Sequence, residues 1–130
     1  MTGRGFGPGD RGGNAEPVAV INETLARRFF EPGENPVGQA LPFGARPDPD
    51  VRTRVIGVVR DHRNLSLNQE PVAHYWVPWE RSYAGAMILV ARTDGDAAAL
   101  STRLGELVER VDPGMPVIRA ATLRSLVGGT

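Results

Sequence analysis

The chain has 130 residues, with 15 Arg plus Lys against 15 Asp plus Glu for a formal net charge of zero, and it holds no cysteine. Every basic residue is arginine, and the arginines are interleaved with acids; the net basic field a nucleic-acid backbone demands is absent, and thiol catalysis, cysteine zinc sites and disulfides are excluded together. A hydrophobic content of 41% in a chain of this size is enough to bury a single core without metal or disulfide staples.

The longest uncharged apolar run, Ala84 to Ala91, falls well short of the roughly 20 residues that cross a bilayer. MTGRGFGPGDRGG at the start has no apolar middle region and does not read as a secretory signal. The chain is therefore expected to be either a free soluble protein or a soluble piece of something larger. Residues 1–14, rich in Gly and Arg, are expected to be a flexible arm, because they cannot bury enough surface to offset their ordering entropy. Residues 15–130 are expected to form one domain.

That domain opens with PVAVI, Pro17 to Ile21, a β-branched strand. Asn22 follows as N-cap of a helix through Phe30, and Ile21, Leu25 and Phe29, recurring every four residues, are expected to pin it to the core. Pro32 and Gly33 stop it near Glu31. Val37 to Gly44 reads as a short strand that Pro42 confines to an edge or bend, and Ala45 to Asp50 is a turn. Val51 to Val59 alternates at first and then becomes wholly apolar, the pattern of a strand entering the middle of a sheet.

Asn64 to Glu70 is polar loop. Val72 to Trp79 and Ala86 to Thr93 read as two strands, joined most economically as a hairpin. Asp96 caps the clearest helix, with Leu100, Leu104, Leu107, Val108 and Val111 on one stripe and an i,i+4 pair of Glu106 with Arg110 on the opposite face. Asp112, Pro113 and Gly114 end it. Met115 to Arg119 reads as a last strand, and Thr122 as the cap of a short helix through Val127. The order implies an α+β fold: a mixed or mostly antiparallel sheet with two main helices packed on it.

Few residues suggest chemistry. Asp61 and His62 at the end of the apolar strand would suit a general base, but neighbours on an extended backbone point to opposite faces, so Asp61 cannot orient the imidazole. A surface ion pair of Asp61 with Arg60 or Arg63 is the expected arrangement. His74 lacks any metal-ligand spacing with His62 and is expected to be a structural histidine on a sheet face. Serines 66, 82, 101 and 125 have no GxSxG context. Gly3, Gly5, Gly7 and Gly9 follow no strand and precede no Lys, so they form no phosphate loop. Asp48, Asp50, Asp94 and Asp96 lack calcium-loop spacing and serve turns and caps. No catalytic residue, cofactor or metal is implied.

The most unusual feature is YWVPW, Tyr75 to Trp79, followed by Tyr83. Both tryptophans and both tyrosines of the chain lie here. Alternation puts Trp76 opposite Tyr75, Val77 and Trp79, so at least one large aromatic falls on the less buried face. Tyr75, Trp76, Trp79 and Tyr83 are the candidate partner-contact residues, unless the two main helices cover both faces. A small-ligand module with a pocket lined by Trp76, Trp79 and His74 is the alternative reading.

GRGFGPGD, PVAVINETLARRFFEPGENPVGQAL, RVIGVVRDHRNLSLNQEP, YWVPW and LVARTDGDAAALSTRLGELVERVDPGMPV, in that order from Gly3 to Val127, resemble the periplasmic core domain of MacB-type, FtsX-like ABC transporter permeases. In particular they resemble duplicated permeases that lack their own ATPase. The resemblance implies a non-enzymatic extracytoplasmic domain held between membrane helices. Its partners would be the rest of the same permease, a separate ATPase subunit and a periplasmic adaptor. It would convey ATPase-driven motion to the outer side of the bacterial inner membrane. No catalytic residue carries over, and the membrane helices, the upstream half of the extracytoplasmic domain and a nucleotide site are absent from these 130 residues.

Overall fold

The structure, a computed structural model, describes residues 1–43, 47–62, 70–81, 85–117 and 119–127. The described residues cluster as two compact units, 1–85 and 86–130, where a single domain over 15–130 was expected.

The first unit is built on five strands: β1 (Thr2–Gly3), β2 (Val18–Asn22), β3 (Ala40–Leu41), β4 (Thr53–Val59) and β5 (Tyr75–Trp76). The sheet order is β1-β4-β2-β5, with β3 also pairing β4. β2 and β4 run parallel, from Val18 opposite Arg54 to Asn22 opposite Val59, with an irregularity at Ala19 and Val20. A parallel pair needs a crossover, and α1 (Glu23–Phe29) lies within it. β5 pairs β2 antiparallel, while β3 and β1 share the other edge of β4. The sheet is thus mixed, with its longest strands at the centre, and the expected α+β class holds.

Strand periodicity divides the apolar residues between two faces. Ile21 and Val55 face α1 and form one cluster with Leu25 and Phe30; Val18, Val20 and Ile56 form the other, against which Val59 and Trp76 pack. All five residues of β2 are buried, which explains why its sequence shows no polar alternation.

The helix face differs from the expected one at a single position. Phe29 is 64% exposed, and Phe30, 8% exposed, occupies the core instead. The four-residue spacing was counted from Ile21, which belongs to β2, so the helical phase starts two residues later. Phe30 is the C-cap, extended at φ −125°, and this turns its ring back under the helix.

The first fourteen residues, expected as a flexible arm, are placed on the sheet edge. Thr2 and Gly3 pair with Val58 and Gly57, and the Arg4 amide donates to the Ile56 carbonyl at 2.9 Å. The close approach depends on glycine: a Cβ on Gly57 would sit 2.5 Å from the Arg4 carbonyl oxygen, and Gly3 has φ +78° against the Ile56 carbonyl. The Asp10 carboxylate latches the arm, accepting from both Arg4 terminal nitrogens at 2.7 and 2.9 Å and from the Gly7 amide at 2.7 Å.

The second unit contains α2 (Ala97–Val111) and α3 (Leu123–Val127). Asp96 caps α2 by accepting from the Ala98 and Ala99 amides, and the Ser125 amide donates to Thr122 Oγ1, both as expected. Two expected strands are not formed. Residues 86–93 carry no strand, and Met87, Ile88, Leu89 and Val90 are all exposed; residues 115–117 and 119 are likewise irregular. β-branched runs favour strand geometry only when a neighbouring strand completes the ladder and covers a face, and neither run has one among the described residues. No described helix is long and apolar enough to cross a membrane.

Candidate functional site

The chemistry-bearing residues gather at the carboxyl ends of β2 and β4. Parallel pairing puts the residues after Asn22 and after Val59 at one end of the sheet, and antiparallel pairing of Ile21 with Tyr75 brings the residues before β5 to the same end. Asn22, Asp61, His62 and His74 are therefore neighbours, although up to 52 residues separate them in sequence.

Asn22 is fully buried and is the hub. Its Oδ1 accepts from the Leu25 amide at 3.0 Å, as the helix cap requires, and from the His74 amide at 2.9 Å; its Nδ2 donates to the Val72 carbonyl at 2.7 Å. The Asn22 amide donates to the His74 carbonyl at 3.0 Å. One side chain thereby ties β2, the start of α1 and the approach to β5 into one body. The cap was legible in the sequence; the two cross-chain bonds were not, because nothing local marks Val72 and His74 as partners.

Asp61 performs the corresponding task from β4. Its carboxylate accepts from the Thr24 amide and the Thr24 hydroxyl, both at 2.8 Å, and from Arg27 at 2.9 Å. It thus caps the first turn of α1 from outside the helix, where a negative charge also meets the positive end of the helix dipole. Desolvation alone would push its pKa up, but the two Thr24 bonds and the Arg27 bond and charge together outweigh it and hold the carboxyl below its ordinary range. Among the described residues its guanidinium partner is Arg27, where the sequence suggested Arg60 or Arg63; Arg63 lies outside the described residues. The arginine that meets it comes from α1, across the sheet end.

With Asp61 turned to α1, it does not orient His62, and no triad geometry forms from these residues. The two histidines nonetheless meet. Their ring centroids are 5.4 Å apart in an edge-to-face arrangement, and Trp76 lies 5.1 Å from His62 and 4.6 Å from His74. Partial burial, followed by the nearby His62, pushes the His74 pKa down. Sequence spacing gave no hint of this pairing, which the sheet order creates.

The aromatic candidates separate. Trp76 packs against the Val18, Val20 and Ile56 cluster, and Tyr75, 36% exposed, lies 4.9 Å from Phe43. Trp79 is 64% exposed. It lines an open groove of about 260 Å³ with Phe6, Val77 and Pro78, flanked by Arg11 and Glu80. Tyr83 lies outside the described residues. The expected ligand pocket is not assembled as drawn, since Trp76 and His74 do not line the groove that holds Trp79.

In this α+β unit the polar residues at the ends of β2 and β4, Asn22 and Asp61, lock the strand ends to α1. The chain matches the MacB-like periplasmic core domain family over residues 1–107 and belongs to it. It is also 33% identical over 99 residues to the Probable syringafactin export ATP-binding/permease protein SyfD of Pseudomonas syringae pv. tomato. That match covers 76% of this chain and 12% of the relative's length. No solved structure matches it significantly.

Proposed function

We propose that the chain is the extracytoplasmic domain of an ABC exporter permease, non-enzymatic itself, which transmits motion of the membrane helices to substrate export or to a docked partner. Membership of the periplasmic core domain family carries this reading, and likeness to an export ATP-binding/permease protein supports it. The Asn22 and Asp61 braces suit the role, because β2, β4, α1 and the approach to β5 must move together when a force is applied at one end. Its partners are the rest of the permease, an ATPase subunit and a periplasmic adaptor. Tyr75, Trp76, Trp79 and Tyr83 are proposed as the partner-contact group, with exposed Trp79 as its anchor; large aromatics in partly desolvated grooves are the usual energetic centres of interfaces.

The location is tested by single-cysteine labelling. The chain has no cysteine, so Asp94→Cys at an exposed position, placed in the full-length permease freed of any other cysteine, is a unique reporter. A membrane-impermeant maleimide should label it in intact spheroplasts. Labelling only after the membrane is permeabilised would overturn the extracytoplasmic reading.

A further inference from the structure

We propose that residues 4–11 are a strap whose docking builds one wall of the Trp79 groove, and that the Arg4–Asp10 ion pair is the latch that holds it there. The groove is made by two stretches of chain far apart in sequence. Phe6, Gly7, Asp10 and Arg11 form one side, and Val77, Pro78, Trp79 and Glu80 the other. An ion pair of Arg11 with Glu80 at 4.0 Å joins the two sides, with the Arg11 side chain 70% exposed; such a pair holds weakly.

The strap is held chiefly from behind. At its start the Arg4 amide donates to the Ile56 carbonyl of β4. From there the Arg4 guanidinium reaches Asp10 with two bonds, and the Gly7 amide supplies a third. Bidentate, charge-assisted bonds are the strong kind, and a carboxylate taken out of water must keep its partners. Asp10 is the one buried residue of the strap. The pair therefore carries the position of the β4 edge to the groove wall. Apolar anchoring is slight, since Phe6 is 43% exposed, and segments with so little buried apolar surface open locally while the core stays folded. Release leaves Trp79 with only the wall that follows β5. A molecule that touches both walls favours the docked strap, and docking raises its affinity by the same factor. Use of this coupling in partner docking rests on the exporter reading above; the strap and its latch do not.

The test reads the two tryptophans of the 130-residue chain separately, after labelling with 5-fluorotryptophan, and Trp79→Phe assigns the two fluorine signals. Arg4 does not line the groove, so Arg4→Ala reaches Trp79 only through the strap. It should move the Trp79 signal by more than its linewidth and enlarge that signal's shift between water and deuterium oxide. The Trp76 signal should stay in place, because Trp76 packs on the Val18, Val20 and Ile56 cluster. Arg4→Lys, which keeps a charged donor for Asp10, should lie between Arg4→Ala and the parent. The Arg4 side chain is 57% exposed, so the fold should survive; if the Trp76 signal collapses in Arg4→Ala, the milder Arg4→Gln decides by the same criterion. A Trp79 signal unmoved while Trp76 stays in place would overturn the strap and leave the exporter reading standing.

Discussion

Replacing Asn22 by Ala removes the side chain on which three chain segments converge. The Leu25 amide loses its cap, the His74 amide its acceptor and the Val72 carbonyl its donor. A net contribution near 1 kcal/mol per hydrogen bond puts the loss at about 3 kcal/mol, of which the cap alone accounts for about 1. Water can replace part of the bond at Val72, which is 54% exposed, but not the one inside the helix turn, so the estimate sits at the low end of the penalty for orphaned buried groups. Against a total stability of about 5–15 kcal/mol, this lowers Tm by roughly 10 °C in a chain of this length. Urea unfolding followed by circular dichroism gives the difference directly. Asn22→Asp keeps both acceptor bonds but sets a fully buried carboxylate against the Val72 carbonyl, so it should approach the parent only at acid pH, where the protonated carboxyl can donate to Val72. A loss below about 1 kcal/mol for Asn22→Ala would refute the claim that this residue is the brace, because a surface substitution costs no more than that.

Asp61→Ala should destabilise by about 1–2 kcal/mol through the first turn of α1, seen as faster amide exchange at Thr24 and Leu25 with β2 and β4 still protected. Gly57→Ala should detach the N-terminal strand, since the added Cβ would lie 2.5 Å from the Arg4 carbonyl; protease cleavage near Arg4 and Arg11 should quicken while the core stays folded. The pH dependence has a definite sign. The Arg4 bond, then the Gly7 amide, holds the Asp10 carboxyl down to about 2, and Asp61 is lowered as well. Both contribute stability that is present above the unfolded carboxyl pKa near 4 and lost as pH falls through the folded values. Stability should therefore decline between roughly pH 4 and pH 2, with the decline smaller in Asp10→Asn; a profile flat over that window would contradict the latch. His62→Ala should change unfolding free energy by no more than about 0.5 kcal/mol.

The elements that were readable in the sequence are those whose signal is local. The buried run of β2, the Asn22 cap, the apolar second half of β4 and the Asp96-capped α2 each combine periodicity with a stop or start residue, and each lies within a residue or two of its expected bounds. Where the signal depended on partners, the reading diverged. Met87 to Val90 has the composition of a strand but no ladder, and Val72 to Trp79 shrinks to Tyr75–Trp76 because only those residues enter the ladder with β2. The arm of residues 1–14 looked too polar to order, yet Gly3 and Gly57 allow backbone contact that composition does not reveal, and Arg4 closes on Asp10. The site was least legible of all. Asp61, His62, His74 and Asn22 become neighbours only through the parallel pairing of β2 with β4, a long-range choice that no short window encodes.

On the proposed reading, this domain transmits force to a docked partner with Trp79, which is exposed, as the anchor. That reading is tested most directly by measuring substrate export from cells expressing the full-length permease with Trp79→Arg. Export should fall at least tenfold, with permease abundance and ATP hydrolysis by the partner ATPase unchanged. Export at the parental rate from a stably folded Trp79→Arg permease would contradict it.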